Sequence, residues 1–316
     1  KIEIYNDLKK DGKNYSISIP PAAFLKGNIE ILPFSGISNS KTIFCKENGY
    51  YAIYDSDRYG FNNPDEEWDN KNIEYLLVGD SFTQGACVNR PNDIGSVLRT
   101  LSKKSVLNLG YASNGPLIEY SVLREYLNTN IKNILWIYYE GNDLHNLENE
   151  LGNNILLKYL QDLNFSQNLK YKQNLIDNAL RKKIIIEEKK SKFKLSEFIK
   201  FYNLRSKIIP PRSLMPRPEL KKILSLTKTL SEKNNSNFFF IYLPTYDRYN
   251  SNFNEASYIE IKKILKDLKI PLIDIHKGVF ETEKNPKKLF PFERQGHYTV
   301  EGYEKTAKKI YNFINK

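Results

Sequence analysis

From Glu74 to the C-terminus, short continuous apolar runs alternate with longer amphipathic segments of helical period. A parallel sheet joined by crossover helices is the arrangement that uses such a pattern. Tyr75-Leu76-Leu77-Val78, running into Gly79-Asp80, has no polar alternation, as expected of a strand buried on both faces. Ser105–Leu109, Ile134–Tyr139, Asn237–Leu243 and Pro271–Ile275 repeat the pattern. Helical segments Leu117–Leu127, Pro218–Leu230 and Tyr258–Leu268 lie between them, and Val300–Ile314 closes the chain with Ile310, Phe313 and Ile314 on one side. The expected class is α/β: a doubly wound, three-layer α/β/α architecture around a mostly parallel five-stranded sheet.

Two stretches stand outside that alternation. Residues 1–73, with Pro20-Pro21, Pro33, Pro64 and the short alternating run Tyr15–Ile19, read as an irregular β appendage to a main domain of residues 74–316. Residues 144–217, rich in Lys, Asn and Leu and closed by Pro210-Pro211 and Pro216, read as a helical insertion between the third and fourth strands. With 316 residues, 40% of them hydrophobic, the chain can bury a large core, which excludes a disordered or collagen-like polymer. Its longest apolar runs, Ile134–Tyr139 and Phe238–Pro244, fall well short of the roughly 18 residues of a membrane span. The chain opens at Lys1, which leaves open an upstream signal or anchor that has been removed. Cys45 and Cys87 are too few and too far apart for a zinc knuckle or a redox CxxC, and leave one disulfide open.

The excess of 48 Lys+Arg over 37 Asp+Glu gives a net charge of +11, but the positive residues are dispersed. The one concentrated segment, Arg181–Lys194, carries two Glu and an Ile triplet, a composition that suits a solvated amphipathic helix better than a phosphate-tracking arm. No helix-turn-helix, RNP or zinc-finger pattern accompanies it, so no nucleic-acid partner is expected.

In an open parallel sheet ligands bind at the carboxyl ends of the strands, so the chemistry is sought in the residues that follow each strand. After the first comes Gly79-Asp80-Ser81-Phe82-Thr83, which places Ser81 at a helix N-terminus where its own N–H points outward. After the second, Asn108–Pro116 is a loop of small residues through which a backbone N–H can approach a ligand. After the third, Glu140-Gly141-Asn142-Asp143 offers a side-chain amide that can donate to an oxyanion. After the last, Gly296-His297-Tyr298-Thr299 brings an imidazole to the same end of the sheet, whereas His145 and His276 sit where structural roles are more ordinary. Each piece alone also suits a helix cap or a β–α turn. Their order along successive strands is what points to acyl-transfer chemistry.

This ordered set resembles the SGNH/GDSL hydrolases, whose four blocks centre on Ser, Gly, Asn and His. The resemblance runs from about Tyr54 to the C-terminus, and Asp57-Arg58-Tyr59-Gly60-Phe61-Asn62 resembles the segment before the GDS block in bacterial, often membrane-anchored, members. It implies a flavodoxin-like SGNH fold and an esterase that needs neither cofactor nor metal. The implied substrate is a small O-acyl group, such as acetyl, on a carbohydrate or similar ester. It further implies Ser81 as nucleophile, His297 as base, and Asn142 with the Ser81 N–H as oxyanion donors. The glycine of the second block falls on Ser113 by spacing from Asn108, with Gly115 as second choice. The family's acid, an Asp three residues before the His, is replaced by Arg294, which cannot accept from Nδ1–H. Glu293 is the expected substitute, with Gln295 or a backbone carbonyl as other means of fixing the tautomer, so a dyad stays open. Asp57, Arg58, Tyr59 and Tyr246 are expected to line a sugar-binding cleft. An O-acetyltransferase acting on a glycan and a catalytically silent glycan- or lipid-binding protein are the alternatives, and a membrane-anchored or extracytoplasmic location is implied.

Overall fold

The computed structural model describes residues 2–8, 10, 12, 14–27, 29–127, 130–193 and 214–316. Prolines break the first 72 residues into short pieces: helix α1 (Ile2–Leu8), strands β1 (Tyr15–Ile17), β2 (Lys41–Ile43) and β3 (Ile53–Asp55), and 3-10 turns opened by Pro20-Pro21 and Pro64. The three strands form a small sheet of their own, β1 parallel to β2 and β2 antiparallel to β3. Ile17, Phe34, Ile43, Phe61 and Trp68 from this region are buried in the same cluster as Leu76, Val78 and Trp136. The Asn63 amide continues the pairing onto the main sheet, accepting the Asn108 N–H at 2.8 Å and donating to the Asn108 carbonyl at 2.9 Å.

The expected strands all form. β4 (Ile73–Gly79) leads into α2 (Ser81–Gln84) and α3 (Ile94–Ser102), then β5 (Val106–Asn108), α4 (Pro116–Tyr126) and β6 (Ile131–Tyr139). Strand β6 starts three residues earlier than the apolar run suggests, because Ile131 and Asn133 pair with Ile73 and Tyr75. The insertion supplies α5 (Asp143–Glu150), α6 (Asn154–Gln161) and α7 (Gln173–Phe193). Its continuation, with Pro210-Pro211, lies outside the described residues. Of the Ile triplet in α7 only Ile184 is buried, while Ile185 and Ile186 face solvent, as one apolar stripe on a solvated helix requires. The chain finishes with α8 (Pro218–Lys233), β7 (Asn237–Leu243), α9 (Ala256–Asp267), β8 (Leu272–Asp274), α10 (Ile275–Gly278) and α11 (Val300–Ile314).

The five-stranded sheet has the order β5-β4-β6-β7-β8, and every neighbouring pair is parallel. Alternation along each strand divides the side chains between two cores. Leu76, Val78, Ile134, Trp136, Tyr138, Phe240 and Tyr242 pack with residues of α4, α8 and α9. Tyr75, Leu77, Leu135, Ile137, Ile241 and Leu243 pack with residues of α3 and α11. Both faces are covered, which is why these strands read as unbroken apolar runs. The order reverses direction at β4, and the crevice at its carboxyl end is the place such sheets reserve for ligands. Among the described residues no helix is long and apolar enough to cross a membrane.

Candidate active site

Strand β4 can turn sharply into α2 because position 79 is glycine: a Cβ there would meet Thr83 and lie 2.6 Å from the Ile137 carbonyl. Asp80 caps the new helix, its Oδ1 accepting the Phe82 N–H at 2.8 Å. Ser81 is thereby held at the first helical position, with its Oγ 2.8 Å from His297 Nε2 and 3.3 Å from Asp80 Oδ2. Burial pushes the Asp80 acid above its ordinary range, while the Phe82 N–H, the nearby His297 and the Asn142 side chain pull it back.

His297 precedes α11, its ring 4.7 Å from that of Phe82. On its far side stands Glu47, from the tip of the β2–β3 hairpin. The Glu47 carboxylate oxygens lie 3.1 and 3.0 Å from His297 Nδ1, and Oε2 also accepts the His297 backbone N–H at 2.7 Å. A Cβ at Gly296 would lie 2.8 Å from Glu47 Oε2, so the glycine admits this close approach. A carboxylate only accepts, so Nδ1 carries the proton and Nε2 is free to accept the Ser81 O–H.

Glu293 does not occupy that place. Its carboxylate accepts from Asn285 at 3.2 Å, its carbonyl accepts the Tyr246 O–H at 2.8 Å, and its φ of +52° turns the chain away. Gln295 likewise donates to Asp247 at 3.2 Å. The imidazole is met instead by Glu47, from the loop between β2 and β3. Proximity in sequence could not reveal a partner 250 residues away. One signal could have: the two cysteines, one two residues before Glu47 and the other six after Ser81. They are bonded, with a Cα–Cα distance of 5.1 Å.

Of the oxyanion candidates, the Asn142 side chain lies beside Asp80, next to Ser81 in sequence. Asn142 stands at the residue before α5 with no capping bond from its side chain, and the loop around it is pinned by Asp143, whose Oδ2 accepts the Tyr139 N–H at 2.9 Å. It is also pinned by Glu140, a carboxylate buried against the Arg248 guanidinium and the Tyr242 hydroxyl. Ser113 takes a left-handed φ of +60°, and no described hydrogen bond uses its N–H or that of Ser81. Gly115 is excluded as a donor, because its N–H is given to Glu150 at 2.5 Å. Its glycine serves packing, since a Cβ would lie 2.6 Å from that of Asn146.

Three of the expected substrate contacts are structural. Asp57 is fully buried and accepts four hydrogen bonds: Tyr59 and Phe61 N–H at 2.9 Å each, Asn63 Nδ2 at 2.9 Å and Trp68 Nε1 at 2.7 Å. Burial drives its acid up to about 6. Arg58 forks onto Asp65 and Asp69, each reached at 2.7 Å, and Tyr59 packs edge-on against Trp68 and Tyr126. The cluster packs the first 72 residues against the sheet. Tyr246 is different: it stands after β7 against Phe290, hydrogen-bonded to the loop that leads to His297.

Glu47, Cys87 and His297 form a grouping of potential metal donors among the described residues, but the sulfur is committed to the disulfide. A cavity of about 460 Å³ lined by Glu74, Lys104, Asn130 and Lys132 lies at the amino ends of the strands, across the sheet from Ser81.

No family model and no curated protein sequence matches this chain. Among solved structures it is similar to a putative lipolytic protein of the G-D-S-L family from Desulfitobacterium hafniense DCB-2, at 15% identity and a TM-score of 0.43, over 76% of this chain and 99% of that one. It is also similar to the acetyl xylan esterase AlAXEase, at 13% identity and a TM-score of 0.45, over 77% of this chain and 100% of that one. A G-D-S-L lipolytic protein from Veillonella parvula DSM 2008 aligns at 11% identity with a TM-score of 0.45, over 77% and 99% of the two chains.

Proposed function

We propose that the protein is a serine carboxylic-ester hydrolase of the SGNH type that removes a small O-acyl group, acetyl by preference, from a carbohydrate or similar ester. The observation that carries the reading is the unbroken hydrogen-bond chain Ser81 Oγ, His297, Glu47, with spacings of 2.8 and 3.0 Å. His297 Nε2 takes the Ser81 proton as Oγ attacks the ester carbonyl. The tetrahedral oxyanion is met by the Ser81 and Ser113 N–H groups and the Asn142 amide. Glu47 holds the imidazole in the accepting tautomer and stabilises the imidazolium, which then protonates the departing alcohol. Water, deprotonated in turn by His297, releases the acid and restores Ser81.

The reading of a silent binding protein rested on Arg294 standing where an Asp is usual. With Glu47 against Nδ1, that feature no longer argues for lost catalysis. Tyr246 and the exposed Phe292 on the rim support a ring-shaped alcohol moiety such as a sugar. The disulfide supports an oxidising, extracytoplasmic compartment.

The test is the intact mass of the protein before and after incubation with a fluorophosphonate, beside Ser81→Ala. One adduct on the wild type and none on the variant is expected. No adduct on folded wild type would overturn the reading. An acceptor sugar added during turnover of an acetyl ester would separate transfer from hydrolysis.

A further inference from the structure

The orienting carboxylate of the site is carried on the loop between β2 and β3. The stem of the β2–β3 hairpin is closed by the Phe44 N–H, which donates to the Ala52 carbonyl at 2.9 Å, and the Ala52 N–H, which donates to the Cys45 carbonyl at 2.8 Å; Asn89 and Arg90 hold β3 at 3.0 and 2.9 Å. Beyond Cys45 the tip turns outward, with Lys46, Gly49 and Tyr50 exposed and Gly49 at a φ of +84°. Glu47 must nevertheless lie within hydrogen-bond distance of two groups of His297. Among the described residues, two contacts run from this tip to the nucleophile's segment. One is the Cys45–Cys87 disulfide and the other is Asn48 Nδ2, which donates to the Cys87 carbonyl at 2.9 Å. Cys87 itself is a firm anchor: it is fully buried among Phe44, Tyr54 and Ala86, and the Ala86 carbonyl accepts the Tyr303 O–H at 3.0 Å while the Ala86 N–H reaches back to Ser81. Its sulfur lies 3.8 Å from His297 Nδ1.

We propose that the Cys45–Cys87 disulfide, seconded by Asn48, is the positioning element that holds Glu47 against His297, so that the site is complete only while the bond is oxidised. This deepens the esterase reading and rests on it. Loss of the tether leaves the six-residue tip free to sample conformations in which Nδ1 has no carboxylate, and a displacement of about 1 Å at such a group costs on the order of 100-fold in rate.

The experiment uses the whole chain with a dithiol reductant. Two electrons and two protons pass from the dithiol to the Cys45–Cys87 bond, giving two protein thiols and the cyclic disulfide of the reagent. The readouts are the rate of fluorophosphonate labelling and the downfield proton resonance of an imidazole Nδ1–H bonded to a carboxylate, with circular dichroism reporting the fold. The expected result is labelling about 100-fold slower on reduction, loss of the resonance, and recovery of both on reoxidation. In Glu47→Gln, which already lacks the resonance, reduction is expected to slow labelling no further. Undiminished labelling with the resonance retained would overturn the proposal, as would an equal loss in both backgrounds. Should reduction unfold the chain, Asn48→Ala decides with the disulfide intact: slower labelling in wild type and none in the Glu47→Gln background supports the tether, and no change in either refutes it. If oxidised protein fails to label, the esterase reading falls, while the resonance still tests the tether.

Discussion

Replacing Glu47 with Gln keeps the volume of the side chain and removes only its charge and one acceptor. Two donors of His297, the backbone N–H at 2.7 Å and Nδ1–H at 3.0 Å, converge on Oε2. If the Gln oxygen takes that place, both bonds survive and the loss is electrostatic. A unit charge about 4 Å from the developing imidazolium is worth about 4 kcal/mol at an effective dielectric of 20, or about three powers of ten in rate. The Glu47 side chain is 35% exposed, and solvent screening trims this toward two. If instead the amide NH₂ turns to Nδ1, it stabilises the tautomer protonated at Nε2, which cannot accept the Ser81 proton, and the cost rises to about four powers of ten. The expected loss is therefore about 10²–10⁴ in kcat/KM for a chromogenic acetate ester, with the fold unchanged. A Glu47→Gln enzyme within about threefold of wild type, beside an inactive Ser81→Ala, would refute the assignment of the orienting carboxylate.

If Asn142 is the oxyanion donor proposed above, Asn142→Ala raises the barrier by about 2.7–4 kcal/mol, read as a fall in kcat; an unchanged kcat would take Asn142 out of the site. Arg248→Ala leaves the buried Glu140 carboxylate without its ion-pair partner and should destabilise the protein by about 3–5 kcal/mol in urea titration, slowing the labelling of Ser81 through the loop that carries Asn142. In Asp57→Asn, the amide must face two of the four donors now aimed at the carboxylate, at about 1–3 kcal/mol for each group left unaccepted. The native Asp57 acid, raised by burial to about 6 from an ordinary 3.8, binds its proton more tightly folded than unfolded. Its contribution to stability is present below about pH 4 and lost as pH rises through 6. Urea midpoints of the wild type should fall across that window relative to Asp57→Asn, and parallel midpoints would contradict the assignment.

The sheet was legible because its causes are local. A strand covered on both faces has no polar position to spend, so β4 and β7 show as unbroken apolar runs, and the limits of β7 coincide with its run Asn237–Leu243. Where a cause was not local the reading slipped, as at the start of β6, which is set by pairing with Ile73. Ser81, Asn142 and His297 stand out as candidates for a similar reason: each sits at a strand end or helix start, where backbone geometry restricts which residues serve, and the structure brings Ser81 and His297 into hydrogen-bond contact. Asp57, Arg58 and Tyr59 looked equally polar and purposeful, and nothing in their order distinguishes a ligand surface from a buried carboxylate satisfied by four donors.

By itself, then, the chain specified an α/β sheet and the end of it where chemistry belongs, since periodicity and turn chemistry act over a few residues. The identity of the carboxylate behind His297 was decided by the tertiary structure alone. Such a group needs only to place an oxygen about 3 Å from Nδ1, a requirement on distance and not on sequence position. A hairpin tip from the appendage, tied by one disulfide, meets it as well as the residue three places before the histidine would have done.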